Sequence, residues 1–442
     1  MGEWNKMTLK DAEVILIDCV HKTPAAVPLG RPYVGIPQMK DGRIEYDTAR
    51  KITEIDYNEW RKKARPQLHD VVLSRRTNPG VTAIVTEDKT DFALGQNLVL
   101  LPSIGATVYP PFLKWLTRTP EWWGEIERYN NVGAVFDSLK CRDVPNFELS
   151  IPDVESQKVI ANVLSALDDK IELNRRTNET LEAMAQAIFR DWFVDFGPVR
   201  RRMQGETDPT AILGGLIYAS AKATDLAALF PDTIGNNGLP EGWSEQSFSH
   251  FVGIVGGGTP KTSIEEYWGG RIPWYSVVDT PSGSDVFVFE TQKTITPSGE
   301  QNSSARLVPP GTTIISARGT VGNLAMAALE MTFNQSCYGL LPSNGTGPTY
   351  VYLATQHVVH RLQQMAHGSV FSTITRQTFD NAHLPAPPHQ LFEAFEAIVA
   401  PLFAKIKSNV HENQTLAETR DYLLPKLMAG EVGVRNIEAE VA

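Results

Sequence analysis

The chain repeats itself once, so each copy must contain what it needs to fold in the same way. Trp4-Asn5 opens the first copy and Trp243-Ser244 the second. Lys22-Thr23-Pro24 is answered by Gly258-Thr259-Pro260, and Arg31-Pro32-Tyr33-Val34-Gly35 by Arg271-Ile272-Pro273-Trp274-Tyr275 with a one-residue insertion. Val72-Leu73-Ser74-Arg75-Arg76 followed by Gly80 matches Ile314-Ile315-Ser316-Ala317-Arg318 followed by Gly322. Leu100-Leu101-Pro102-Ser103 matches Leu340-Leu341-Pro342-Ser343, and Gly133-Ala134-Val135-Phe136 matches Gly368-Ser369-Val370-Phe371. Lys170-Ile171 and Asn174 return as Lys405-Ile406 and Asn409. The step between partners stays between 235 and 242 residues. A period of this size is a domain duplication, not a solenoid.

Each copy changes character partway. Residues 1–150 and 240–385 read as short mixed strands and turns. Val71-Val72-Leu73, Leu98-Val99-Leu100-Leu101 and Thr312 to Ser316 are β-prone runs beside Gly, Pro and Asn signals. Both copies then turn helical. Steps of seven give Ile160, Leu167, Asn174, Leu181 and Ile188 in the first, and Phe395, Leu402, Asn409, Leu416 and Leu423 in the second. Val163, Leu164, Ile171, Met184 and Ala185 widen the first stripe, as do Ile398, Val399 and Ile406 the second. Sustained heptads with an Asn at the same core position predict a coiled coil. The spacing predicts helices over Asp153–Trp192 and Pro388–Leu427, each about 60 Å long. In an antiparallel pair Asn174 and Asn409 are expected to meet near the midpoint. Asp153 suits the positive start of the first helix, and Gly197-Pro198 its end. Between the copies lies a Gly-, Pro- and Ala-rich connector. It begins with Arg200-Arg201-Arg202 and has one short helical pattern within Leu213 to Phe230.

Charge narrows the function. With 41 Lys and Arg against 51 Asp and Glu among 442 residues, the net charge of −10 argues against binding nucleic acid by bulk charge. One stretch opposes the trend: Arg50, Lys51, Arg61, Lys62, Lys63, Arg65, Arg75 and Arg76 outnumber Glu54, Asp56, Glu59 and Asp70. No apolar run has the roughly 20 residues of a membrane helix, and Met1 to Lys10 has no signal-peptide core. Cys19, Cys141 and Cys337 lie far apart, with no CxxC and no histidine pairing expected. They read as buried small hydrophobes in a reducing cytoplasm, with no metal site.

Enzyme signatures fail on geometry. Pro152-Asp153 with Asp168-Asp169-Lys170 copies a metal-nuclease pattern, but the carboxylates sit on one predicted helix, roughly 22 Å apart. Gly256-Gly257-Gly258-Thr259-Pro260-Lys261-Thr262 resembles a phosphate loop, yet lacks the second Gly before its Lys, and Pro260 removes a backbone donor. No Asn-Pro-Pro-aromatic, GxSxG or HExxH motif occurs. His357 and His360 have no third ligand. What remains suits binding. Arg75-Arg76-Thr77 and Arg318-Gly319-Thr320 follow matched strands, with Thr259 and Lys261 beside the Gly-rich turn. Turns at strand ends carry side chains beyond the sheet, and arginine fits phosphates and guanine edges.

Taken together, the chain resembles a specificity subunit of a type I restriction-modification enzyme. The likeness rests first on Ile151-Pro152, Gln157 and the run Leu164-Ser165-Ala166-Leu167-Asp168-Asp169-Lys170-Ile171-Glu172-Leu173-Asn174. It continues through Leu181-Glu182-Ala183-Met184-Ala185 and Phe189-Arg190-Asp191-Trp192-Phe193-Val194-Asp195-Phe196. Leu229-Phe230-Pro231-Asp232 and Leu239-Pro240-Glu241-Gly242-Trp243 fit the connector. Gly257-Gly258-Thr259-Pro260, Tyr267-Trp268-Gly269-Gly270 and Ile272-Pro273-Trp274 fit a second recognition domain, and Leu423-Leu424-Pro425-Lys426-Leu427-Met428-Ala429-Gly430-Glu431 the C-terminal end. One departure is His21-Lys22-Thr23-Pro24, where the second copy has its Gly-rich turn.

The resemblance implies an α+β chain: two pseudo-twofold-related α/β target-recognition domains separated by an antiparallel coiled coil of two long helices. Residues 1–150 form the first recognition domain, 151–196 the central spacer helix and 197–239 the connector. Residues 240–385 form the second recognition domain, and 386–442 the C-terminal helix and tail. Each recognition domain is expected to read half of a bipartite double-stranded DNA target, with the helices setting the spacing. The subunit has no catalytic site and no cofactor of its own. It works in the cytoplasm with two modification subunits, which use S-adenosylmethionine to methylate adenine, and two restriction subunits, which use ATP and Mg. A stand-alone methyltransferase or nuclease, and an assembly scaffold that does not bind DNA, are the alternatives.

Overall fold

The computed structural model describes residues 4–46, 48–130, 137–215, 220–365 and 373–431. The matched tetrapeptides at 133–136 and 368–371 lie outside them. Two compact units form: Met1–Asp169 with Leu416–Ala442, and Lys170–Thr415. Each unit therefore contains one mixed α/β region and one part of each long helix.

In the first unit a four-stranded antiparallel sheet runs Ile17–Asp18, Leu98–Leu101, Val71–Ser74, Thr82–Ile84. Its two central strands are buried throughout. The period of two explains how. Val71, Leu73, Val99 and Leu101 face one core with the helices Pro110–Leu116 and Pro120–Tyr129. Val72, Leu98 and Leu100 face another. Continuous apolar runs are thus what a sheet covered on both faces requires. A smaller sheet orders Arg50–Ile52, Arg31–Val34 and Ala93–Leu94, and Asn5–Thr8 pairs with Glu148–Ile151.

The second unit repeats this plan. Val252–Gly256, Cys337–Pro342, Thr313–Ser316 and Leu324–Ala327 take the same order, with Phe287–Val288 added parallel at the edge. Ile315, Met326 and Leu340 face one core, and Ile314, Ala325 and Cys337 the other. Thr294–Ile295, Trp268–Tyr275 and Thr332–Phe333 form the smaller sheet, and Ser244–Ser247 pairs with His383–Ala386. The pairings agree in direction: Arg31–Val34 runs antiparallel to one neighbour and parallel to the other, as does Trp268–Tyr275. One helix, Pro348–Met365, replaces the two of the first unit.

The first long helix is Val154–Phe193 and the second His389–Met428, 40 residues each. Asp153 stands at the start of the first, accepting from Ser156 N at 3.0 Å. Gly197-Pro198 does not close it. Phe196 turns left-handed at φ 52°, and Gly197 opens a new helix, Gly197–Met203. Among its described residues the connector then has two more, Pro209–Ile212 and Ser220–Ala227. Arg201 chelates Asp191 at 3.0 and 2.6 Å, Arg200 donates to Asp195 O and Arg202 to Ala227 O. These arginines hold the connector together.

The heptad stripe from Ile160 keeps Ile160, Asn174 and Ile188 buried, while Leu167 and Leu181 are half-buried. In the second helix Phe395 and Asn409 are buried, and Leu402, Leu416 and Leu423 half-buried. A deeper stripe lies three residues earlier: Gln157, Leu164, Ile171, Asn178, Ala185 and Trp192, every one buried. Met184 falls off both and is 41% exposed. Asn174 and Asn409 do not meet. Asn174 Nδ2 donates to Asn413 Oδ1 at 2.9 Å, and Asn409 Nδ2 to Asn178 Oδ1 at 2.8 Å. The 235-residue step carrying Asn174 onto Asn409 also carries Asn178 onto Asn413. Each Asn therefore faces the other helix's second Asn, one turn along.

Among the described residues no helix is long and apolar enough to cross a membrane.

Candidate nucleic-acid interface

In each unit one buried strand, Val71–Ser74 or Thr313–Ser316, runs into a turn held by backbone bonds and by the hydroxyl of its last serine, which donates to Arg76 O or Thr320 O. Gly80 N donates to Ser74 O at 3.0 Å and Gly322 N to Ser316 O at 2.9 Å. Arg75 N donates to Asn97 O and Ala317 N to Ser336 O, while Arg75 O accepts from Leu139 N and Ala317 O from Ile374 N. Arg76 bridges Ser138, and Arg318 bridges Thr373. Thr77 and Gly319 both take left-handed angles, φ 66° and 78°. Gly80 and Gly322 are required at φ 95° and 91°, where a Cβ would stand 2.8 Å from Ile126 or Val359. The two turns are one structure with different side chains.

The side chains part company. Arg318 and Thr320 are exposed, and so are Thr77 and Lys261; Arg76 is half-buried. Arg75 is not. It is 7% exposed, and its Nη2 lies 3.3 Å from His21 Nδ1. Arginine only donates, so Nδ1 accepts and His21 Nε2–H faces Asp18 Oδ2 at 2.9 Å. The expectation that Arg75 projects beyond the sheet is overturned. Residue 75 lies next to the strand, where its backbone is bonded on both sides, so its side chain turns back toward the Ile17–Asp18 strand. Thr259 is half-buried and donates to Oε1 of the exposed Gln335.

These contacts draw the candidates into one cluster per unit. Gln335 precedes Ser336, which holds the Arg318 turn; Gln96 precedes Asn97, which holds the Arg76 turn. Thr259 bonds Gln335, and Arg75 Nη2 bonds His21 Nδ1. Thus the loop after the edge strand, the loop before the central strand and the arginine turn are tied together twice. The Gly-rich loop is no phosphate cradle. A Cβ on Gly257 would stand 2.0 Å from Asn334 O, and one on Gly258 2.2 Å from Ser304 C. Those glycines admit neighbouring backbone.

Asp18, Cys19 and His21 place ligand atoms within 4.8 Å of one another, correcting the expectation that no cysteine has a histidine near it. The residues do not suit a cation. Lys63 Nζ stands 3.6 Å from Asp18 Oδ2 and Arg75 flanks His21. Burial pushes the Cys19 thiol up to about 11 and raises Cys141 too. Burial works to raise Asp18 as well, but His21 and Lys63 outweigh it and hold the carboxyl low. Cys19 and Cys337 are buried, Cys141 only half-buried. His357 is half-buried, 6.1 Å from the Phe189 ring, and is lowered by burial.

The nuclease-like carboxylates have structural work. Asp153 starts a helix. Asp168 accepts from Lys114 at 2.8 Å and Arg420 at 2.7 Å, with Arg118 at 3.6 Å. Burial would raise its carboxyl, but Lys114, Arg420 and Arg118 prevail and lower it to about 2. This cluster, Asn178 and the Asp18–His21–Arg75 network are what sequence reasoning missed.

A family model described as the type I restriction modification DNA specificity domain matches residues 1–183 and 240–416. The type I restriction enzyme HindI specificity subunit of Haemophilus influenzae is 27% identical over 400 residues, covering 82% of this chain and 86% of its own. The MjaIX specificity subunit of Methanocaldococcus jannaschii is 26% identical over 405 residues, covering 88% and 83%. The crystal structure of a type I restriction-modification S subunit from M. genitalium aligns over 96% of both chains with a TM-score of 0.55 and 16% identity, a likeness of fold.

Proposed function

Since this chain belongs to the type I restriction-modification DNA specificity family, we propose that each of its two matched turn clusters reads one half of a split duplex target. The chain is a specificity subunit and is itself non-catalytic. The observation that supports this reading is the equivalence of the two clusters: one backbone frame, with Arg76 and Thr77 on the first and Arg318 and Thr320 on the second. Lys261, exposed beside the second frame, adds positive charge. Arginine at a turn can straddle a guanine edge or hold a phosphate.

The two long helices set the distance between half-sites. Two modification subunits bring S-adenosylmethionine and methylate adenine. Two restriction subunits bring ATP and Mg for translocation and cleavage. The assembly works in the cytoplasm. The chain's negative total suits this division, since much of the phosphate contact comes from the partners.

The test is to express the chain with its modification subunit and map methylated adenines across a genome. A two-part motif with a fixed gap is expected. Methylation without sequence preference, or methyl transfer by the purified chain alone, would overturn the proposal. A salt-dependent gel shift with and without the modification subunit distinguishes DNA binding from pure scaffolding.

A further inference from the structure

We propose that the long helices carry separate codes for register and for partner, and that the partner code prevents two copies of this chain from pairing through like helices. The register code is the asparagine set. Because the 235-residue step exchanges Asn174 with Asn409 and Asn178 with Asn413, the amide pairs themselves would re-form if either helix met its own counterpart in a second copy, although Asn174 would trade its bond to Glu412 for the counterpart Thr177 if two first helices paired. Asparagines therefore fix alignment but cannot choose the partner. Something else must, and the helix ends differ in both charge and volume.

In the first unit Asp168 meets Arg420 at 2.7 Å, with Lys114 at 2.8 Å. The same step carries Asp168 onto Phe403 and Arg420 onto Ala185. Aligning Tyr109-Pro110 with Gly347-Pro348 carries Lys114 onto Tyr352. In the second unit Phe403 and Tyr352 stand edge to face at 5.5 Å, in one core with Ala185. An ion cluster in one unit is thus an aromatic cluster in the other. Volume follows the same division. Phe395 faces Phe189 and Trp192, with centroids 6.2 and 6.0 Å apart. Its counterpart Ile160 shares a core with Leu424 and Leu427, the counterparts of Phe189 and Trp192.

Like helices would mismatch both features. Pairing two second helices would bring Arg420 against Phe403 and Tyr352 with no buried carboxylate, and leave leucines where Phe189 and Trp192 fill the core. Pairing two first helices would press Phe189 and Trp192 against Ile160, and deprive Asp168 of Arg420. Only unlike helices satisfy both ends.

Exchanging the ends tests this in the full chain. A185R/F189L/W192L gives both helices the second type of end; R420A/L424F/L427W gives both the first. Each triple is expected to melt below the unaltered chain. The six-fold variant combining them favours like-with-like pairing. It should double in mass by light scattering, melt above both triples, and melt higher as concentration rises. A six-fold variant with the mass of one chain at every concentration, or melting no higher than the triples, would overturn the proposal. If that variant is not recovered folded, A185R/R420A exchanges the charge alone. A doubled mass relative to A185R supports the partner code, and an unchanged mass overturns it.

Discussion

Asn178 accepts from Asn409 at 2.8 Å between the two long helices, where both side chains are buried. Asn178 also donates to Asp285 Oδ1 at 3.3 Å, so it ties the helix pair to the second recognition region. Asn409 Oδ1 is buried with no hydrogen-bond partner among the described residues. Its Nδ2 is therefore the group that matters. Asn409→Leu should lower stability by about 1–3 kcal/mol, because Asn178 loses its donor. Urea unfolding checks this. A variant as stable as its parent would mean the amide pair contributes nothing net.

Asp168 should make the first unit acid-sensitive. Its carboxyl is lowered from 3.8 to about 2, so the native state favours the charged form. That stabilisation is complete above the ordinary carboxylate value and fades as the pH falls from about 4 through 2. A shift of this size corresponds to roughly 2–3 kcal/mol. Asp168→Asn should cost on the order of 3–5 kcal/mol at neutral pH, since Lys114, Arg118 and Arg420 lose their counter-charge. Its stability should also fall less steeply than the parent's over that acid window. Parallel pH–stability curves for the two proteins would contradict this.

The two arginines of the first turn should separate cleanly from each other. Arg318→Ala and Arg76→Ala are expected to weaken binding to the specific duplex by about 1–3 kcal/mol if the guanidinium reads a base. If it holds a phosphate, the loss should be uniform across sequences and the salt slope should fall by about one. Arg75→Ala should instead lower thermal stability and leave the salt slope unchanged, because the side chain is buried against His21. Gel shifts across a salt series, with thermal melts of the same proteins, decide the matter. A reduced slope for Arg75→Ala would place that residue on the DNA.

Matched heptads inserted into both helices should lengthen the gap between the recognised half-sites. Seven residues add about 10 Å of helix, and the asparagine pairing can be kept if the insertions are matched. A heptad in one helix alone keeps its stripe but shifts register, and should destabilise the chain. Methylation mapping reads the gap directly; an unchanged gap after matched insertion would remove the helices' role as a ruler.

Much of this was legible because duplication repeats what local sequence encodes. The helix ends lie within one residue of those expected, since proline and the apolar stripe mark them. The strands at 71–74 and 313–316 announce themselves as short apolar runs before turns. The seam's phase was harder to read. Two stripes three residues apart both end in apolar side chains and both contain an Asn, so Asn178 was passed over for Asn174. Arg75 misled for another reason. Its burial depends on Asp18 and His21, which are more than fifty residues away in sequence and reach it only after the sheet has formed. Asp168 reads as a failed metal ligand because its partners, Lys114 and Arg420, lie 54 residues before it and 252 after it.

Both matched turns hang on peptide groups and the buried Ser74 and Ser316 hydroxyls rather than on the side chains they display. Ser74 O and Ser316 O, Asn97 O and Ser336 O do the same work beneath quite different residues. Mutation at the displayed positions therefore leaves the scaffold's own bonds untouched. If the turns read DNA as proposed, a lineage carrying this chain can drift to a new target through a few surface changes at little risk of unfolding, and each half can drift without the other.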